Sequence, residues 1–174
     1  MESEATPQVP DTGELPEAAR RGPISHAIFR VARLHRMLAG QLLREVGLHP
    51  AQELVMMQLW DHGRMRQTDL ARHVGADAAT MTRTIQRLEK AGFVRRVRST
   101  SDRRSVLVEP TAASHALRQQ VEDLWARLED YAADGLTDAE RDETLAVLQR
   151  LETNLATRIN DAEPSSPAAA SGDA

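Results

Sequence analysis

The sequence has 174 residues, 41% apolar and 28% charged, with no cysteine and a net charge of −4; such a chain is long enough for one core of ordinary size. The missing cysteines exclude disulfides, thiolate metal sites, Cys nucleophiles and a thiol redox sensor within this sequence. No run approaches the roughly 18 to 20 apolar residues of a membrane span, and residues 1–20 lack the basic start and apolar stretch of a signal peptide, so a cytoplasmic protein that does not use a membrane is expected.

Residues 1–22 are rich in Pro, Glu, Thr and Gly without periodicity, and residues 162–174 are mostly Pro, Ser and Ala; both are expected to be disordered tails. From Ile24 the apolar positions Ile28, Val31, Leu38 and Leu42 recur at helical spacing until Gly47, which predicts a first helix of about six turns. After Pro50, AQELVMMQLW predicts a short second helix with Leu54 and Met57 inward and Val55 and Leu59 as further candidates, ending near His62 and Gly63. A third helix near Gln67 to Val74 turns Leu70, Ala71 and Val74 inward, and Gly75 to Asp77 supply a tight turn with Asp77 as N-cap. The fourth helix follows at once, with Met81, Ile85 and Leu88 inward, Gly92 at the left-handed C-terminal position, and Thr80, Thr82, Arg83, Gln86 and Arg87 outward.

Next, Phe93 to Arg98 and Ser105 to Glu109 are β-branched or apolar runs around a polar turn, which predicts a hairpin with a basic tip. A long helix from Thr111 or Ala112 carries Leu117, Val121, Leu124, Leu128 and Tyr131 at alternating spacings of four and three, and Gly135 ends it. TDAE at 137–140 is a capping box that opens a final helix with Leu145, Leu148, Leu151, Leu155 and Ile159 on one stripe. The expected fold is therefore mainly α with a small β-hairpin wing. A winged helix-turn-helix at 50–110 lies between an N-terminal dimerisation helix at 23–49 and C-terminal dimerisation helices at 111–161. The flanking stripes are too long to face one small winged module, and a second copy of the chain is the simplest way to bury them.

Charge is unevenly spread. Residues 1–62 carry −2, residues 63–109 carry +6 and residues 110–174 carry −8. A basic middle third between acidic flanks is the outline of a polyanion-binding module on a scaffold that does not touch the polyanion. On the fourth helix, Thr80, Thr82, Arg83, Gln86 and Arg87 are short or forked side chains suited to base edges in the major groove, with the two threonines equally suited to phosphate. Gln67 is a further phosphate donor. At the hairpin tip Arg104 is expected to enter the minor groove, oriented by Asp102, while Arg95, Arg96, Arg98 and Arg103 are assigned to phosphates. Each has a plainer explanation as a solvated face, a hairpin ion pair or edge-strand protection. What favours duplex DNA is that the basic third is also the third that reads helix, turn, helix, wing.

The stretch DAATMTRTIQRLEKAGFVRRVRSTSDRRSVLVEPT, together with QTDLA at 67–71 and LTDAER at 136–141, resembles the MarR (multiple antibiotic resistance regulator) family of dimeric transcription regulators. The resemblance runs from about Ile24 to Ile159 and includes the wing motif D-x-R, here Asp102 and Arg104. It departs at Pro110 to Ser114, where the family usually reads LT-x-x-G. The resemblance implies a dimer that represses or activates transcription from a pseudopalindromic operator. It also implies release or rearrangement on DNA when a small molecule, often a phenolic or other aromatic acid, binds near the dimerisation and DNA-binding parts.

His35, Met56, Met57, Trp60 and His115 are candidates to line an effector cavity, with core packing as the alternative, and Trp125 is expected at a helix junction. The six histidines are scattered, with no pair at the i, i+4 spacing of a metal face. No cofactor or metal is expected. Adjacent acids such as Glu122 and Asp123 point in different directions on a helix, and no nucleophile constellation, phosphate loop or dinucleotide fingerprint is present, so an enzyme is not expected. Two functions follow: a homodimeric, sequence-specific, effector-relieved repressor, or a winged-helix interaction module binding an acidic protein through the same basic face.

Overall fold

A computed structural model describes residues 15–98 and 106–162. The helices are α1 (Pro23–Glu45), α2 (Gln52–His62), α3 (Gln67–Val74), α4 (Ala78–Lys90), α5 (Ala112–Ala132) and α6 (Asp138–Ala162). The strands are β1 (Met65–Arg66), β2 (Val94–Arg98) and β3 (Val106–Pro110). The chain forms two units, one running to Ala132 and the other starting at Ala133. The fold is thus mostly helical with a small antiparallel sheet, as the periodicities imply. Within the stretch expected to be a tail, Glu17–Ala19 forms one 3-10 turn ahead of α1.

In the first unit, side chains from every helix and from two strands share one core. It contains Leu42 and Leu43 of α1, Val55, Met56 and Leu59 of α2, Leu70 of α3, and Met81, Ile85 and Leu88 of α4. Val94, Val108 and the α5 stripe of Leu117, Val121, Leu124 and Leu128 complete it. The C-terminal part of α1 and the inner stripe of α5 are therefore used within this unit, whereas Ile24, Phe29 and Val31 near the start of α1 stay exposed. Tyr131, expected to continue the α5 stripe, is also exposed. It sits at the last turn of the helix, beyond the point where the core ends.

The second helix differs in phase from expectation. Val55, Met56 and Leu59 are buried together with Gln52 and Glu53, while Leu54 and Met57 are half-buried. α2 has neighbours on several sides, contacting α3, α4, α5 and β3, and a helix hydrophobic nearly all round offers no polar face from which its phase can be read. It starts after Ala51, the only non-glycine residue with positive φ among those described (73°).

The sheet has the order β1-β3-β2. β2 and β3 pair antiparallel with Arg95 opposite Glu109, Arg96 opposite Val108 and Arg98 opposite Val106. The two-residue strand β1 adds to the other edge of β3 through Met65↔Val108 and Arg66↔Leu107. Two residues are too few to show an alternating pattern, so only the hairpin was visible in the sequence.

In the second unit, Thr137 N–H donates to Glu140 Oε2 (2.8 Å) and Glu140 N–H donates to Thr137 Oγ1 (3.4 Å), the reciprocal capping box. Arg141 Nη2 donates to the Ala133 carbonyl (3.2 Å). Along α6, Leu145, Leu148, Leu155 and Ile159 are all exposed.

Candidate functional site

Local chemistry sets the presentation of α4. At the end of α3, Gly75 adopts φ +67° and Ala76 N–H returns to the Ala71 carbonyl (2.9 Å); the left-handed position suits glycine because a Cβ is penalised there. Two residues later Asp77 caps α4, accepting from Thr80 N–H (2.8 Å) and Thr80 Oγ1 (2.7 Å). These donors hold the Asp77 carboxyl below its usual range, with the nearby Arg83 charge a lesser cause. α4 closes with Gly92 at φ +81° and Phe93 N–H bonded to the Leu88 carbonyl (3.0 Å).

With Met81, Ile85 and Leu88 buried, the opposite face of α4 presents Arg83, Gln86 and Arg87 to solvent. The two threonines expected beside them are already engaged. Thr80 gives its hydroxyl proton to the cap, and Thr82 Oγ1 donates to the Ala78 carbonyl (2.8 Å) while accepting from Gln67 Nε2 (2.7 Å). Gln67, expected to be a phosphate donor, thus ties the start of α3 to α4.

The wing arginines separate by strand alternation. Arg95 is exposed and paired with Glu109 across the hairpin. Arg96 lies on the face that carries Val94 into the core; it stands 3.5 Å from Glu89 of α4, and its Nε and Nη2 are shut off from solvent. That direction turns the Nε edge of Arg96 toward Glu89, with the side chain still partly exposed. Arg98 is exposed at the end of β2. Asp102, Arg103 and Arg104, the expected wing tip, lie outside the described residues.

A cavity of about 290 Å³ lies between α2 and α5. Met57, Trp60, Val121 and Trp125 supply its apolar wall, and Asp61, Arg118 and Glu122 its charges. Of the effector candidates, Met57 and Trp60 line this cavity, and so does Trp125, expected at a helix junction. The other candidates do not. Met56 is wholly buried in the core, His115 is exposed on α5, and His35 lies beside the Trp125 ring, 6.3 Å between centroids. Helical phase explains this: Met56 precedes Met57 by about 100° of rotation and faces the core, while His115 is one residue beyond the buried Ser114.

A chain of hydrogen bonds starts at this cavity. Trp60 Nε1 donates to Ser114 Oγ (3.3 Å), and Ser114, fully buried, donates to the Thr111 carbonyl (2.8 Å). Thr111 Oγ1 donates to the Gly92 carbonyl at the end of α4 (2.7 Å). The segment where the sequence departs from the usual family pattern is therefore the link between the cavity wall and α4.

Two further features were not legible. Glu53 is 6% exposed, its Oε2 has no partner among the described residues, and burial pushes its carboxyl above the usual range. His62 and His73, eleven positions apart and on different helices, have ring centroids 6.0 Å apart, each with Nδ1 against the carbonyl four residues earlier. Among the described residues no group of three or more His, Asp or Glu could hold a metal ion, and no helix is long and apolar enough to cross a membrane.

Comparison with known proteins places this arrangement. A sequence profile described as MarR family matches residues 48–106. The HTH-type transcriptional regulator YfiV of Bacillus subtilis is 46% identical over 57 residues, which are 33% of this chain and 36% of that protein. The HTH-type transcriptional regulator YwoH of the same organism is 34% identical over 96 residues, 55% of this chain and 69% of that protein. Among solved structures, a cysteine-to-serine mutant of Escherichia coli MarR in complex with operator DNA superposes with a TM-score of 0.72 at 22% identity, covering 79% of this chain and 99% of that one. Bordetella bronchiseptica BpsR, whose DNA binding is regulated by 6-hydroxynicotinic acid, superposes with a TM-score of 0.70 at 24% identity, covering 80% and 98%. A capped, outward-facing helix inside the matched segment, beside a hairpin whose second strand begins where that segment ends, agrees with these relatives in sequence and fold: the chain belongs to the MarR family of helix-turn-helix transcriptional regulators.

Proposed function

We propose that the protein is a cytoplasmic, homodimeric repressor that binds a pseudopalindromic operator and is released from it by a small molecule. The observation that carries the DNA-binding part is the solvent-facing stripe of Arg83, Gln86 and Arg87 on a helix whose opposite face is locked into the core. Two arginine forks and an amide at one-turn spacing match the acceptor patterns of guanine and adenine in the major groove. Arg95, Arg98 and, at the wing tip, Arg103 are assigned to phosphates, and Arg104, oriented by Asp102, to the minor groove. Thr80, Thr82 and Gln67 act indirectly, fixing the angle at which α4 is presented.

Dimerisation rests on the apolar surface of Ile24, Phe29 and Val31 in α1 and of Leu145, Leu148, Leu155 and Ile159 in α6, exposed in the single chain. A second copy covers the exposed faces of segments 23–49 and 111–161, and 50–110 serves DNA, with half-sites about 10 base pairs apart. Effector release rests on the cavity between α2 and α5 and on its hydrogen-bonded link to Gly92. A ligand that moves Trp60 disturbs the support of α4 through Ser114 and Thr111. With no cysteine in the sequence, signal reception by a thiol is closed to it.

The test is selection of bound duplexes followed by titration of the selected duplex against a scrambled one at physiological salt. A specificity ratio of about 10³ or more is expected, and Arg87→Ala should weaken the selected duplex by about 1–3 kcal/mol while leaving scrambled binding nearly unchanged. Equal affinity for both duplexes would reject sequence-specific regulation in favour of general polyanion binding.

A further inference from the structure

We infer that the cavity between α2 and α5 is selective for an aromatic organic cation over an aromatic acid; this rests on the reading of that cavity as the effector site. Three charged side chains line the cavity, two carboxylates and one guanidinium. The guanidinium is already held by both acids: Arg118 Nε lies 2.8 Å from Glu122 Oε1, and Arg118 Nη2 lies 3.5 Å from Asp61 Oδ1. Its neutralisation leaves the lining with one excess negative charge.

An incoming carboxylate competes for a guanidinium whose Nε and Nη2 already face Glu122 and Asp61, and those two carboxylates stand against it in the same cleft. An incoming ammonium or guanidinium displaces nothing and is attracted by the excess charge. The apolar wall favours the same class. Trp60 and Trp125 both line the cavity, and an indole face attracts cations by about 0.5–1 kcal/mol in a wet site and about 2 when water is excluded. Met57 and Val121 add apolar surface for the ring that carries the charge. The volume of about 290 Å³ suits one small ring system with a short charged arm.

Trp60 and Trp125 are the only two tryptophans in the sequence, so selectively excited tryptophan fluorescence of the full chain comes from residues that line this cavity. The test titrates the purified protein with three probes of matched size: phenethylammonium, 3-phenylpropionate and the neutral 2-phenylethanol. The ammonium should bind about tenfold or more tighter than the propionate, the alcohol falling between. Asp61→Asn with Glu122→Gln converts the lining from one excess negative to one positive charge and should invert the order, with the alcohol unmoved. Circular dichroism confirms that the double variant is folded. Propionate binding as tightly as ammonium in the parent protein overturns the cation preference but leaves the cavity as an effector site. No fluorescence response to any of the three overturns the effector reading as well.

Discussion

Glu53 is an acid whose burial outweighs its backbone hydrogen bonds at Glu53 and Ala51. It is buried on α2, one oxygen has no partner among the described residues, and burial favours its protonated form. Because its folded-state pKa lies above the unfolded value, its stability contribution is fully present below the unfolded pKa and is lost as pH rises through the folded one. Glu53→Gln keeps the shape and removes the charge, so it should raise the unfolding midpoint at pH 7, with the gain shrinking toward zero as pH falls below about 4. Denaturant melts at both pH values check this; a loss of stability at pH 7 would show that the backbone hydrogen bonds to the carboxylate outweigh its burial. Ser114 is the opposite case, buried with both capacities used. Ser114→Ala strands the Trp60 indole N–H and one lone pair of the Thr111 carbonyl, a cost of about 1–3 kcal/mol, readable in the same melts and as a blue-shift of Trp60 emission. None of this was legible beforehand. Glu53 and Ser114 carry no periodic signal, and the partner of Ser114 on α2 lies 54 positions away.

The elements were more legible, for a physical reason that varies among them. α4 has three buried residues at spacings of four and three, a capping aspartate and a closing glycine, so local and tertiary preferences agree. α2 has neighbours on several faces, and its sequence fixes its existence but not its rotation; Met57 and Trp60 were placed at a cavity, Met56 misplaced by one position. The wing arginines were assigned together because register decides which way each points, and only pairing with β3 shows Arg96 turned toward Glu89. The proposal makes α4 a rigid presenter of Arg83, Gln86 and Arg87, and its anchor is testable. Ile85 is wholly buried at the centre of the α4 stripe, so Ile85→Ala should cost about 2–5 kcal/mol of stability. Operator affinity should fall with it even at temperatures where the variant is fully folded by circular dichroism; unchanged affinity would mean that α4 packing does not govern presentation.

For the whole molecule, two apolar surfaces ask for a partner of the same kind. The start of α1 and the stripe of α6 lie at opposite ends of the chain, and each leaves large side chains in water, an arrangement that a soluble monomer rarely sustains. The dimerisation helices expected at 23–49 and 111–161 also have a second use, because the C-terminal part of α1 and the inner stripe of α5 complete the winged core. Their outer surfaces, with α6, remain for the second copy. In the proposed dimer, pairing turns one helix with three polar side chains into two helices spaced to meet consecutive turns of duplex. The most direct measurement is therefore the mass of the complex on the selected operator by analytical ultracentrifugation. The account predicts two chains on each duplex, with no stable complex containing one; a tight, specific complex of a single chain with the full operator would contradict it.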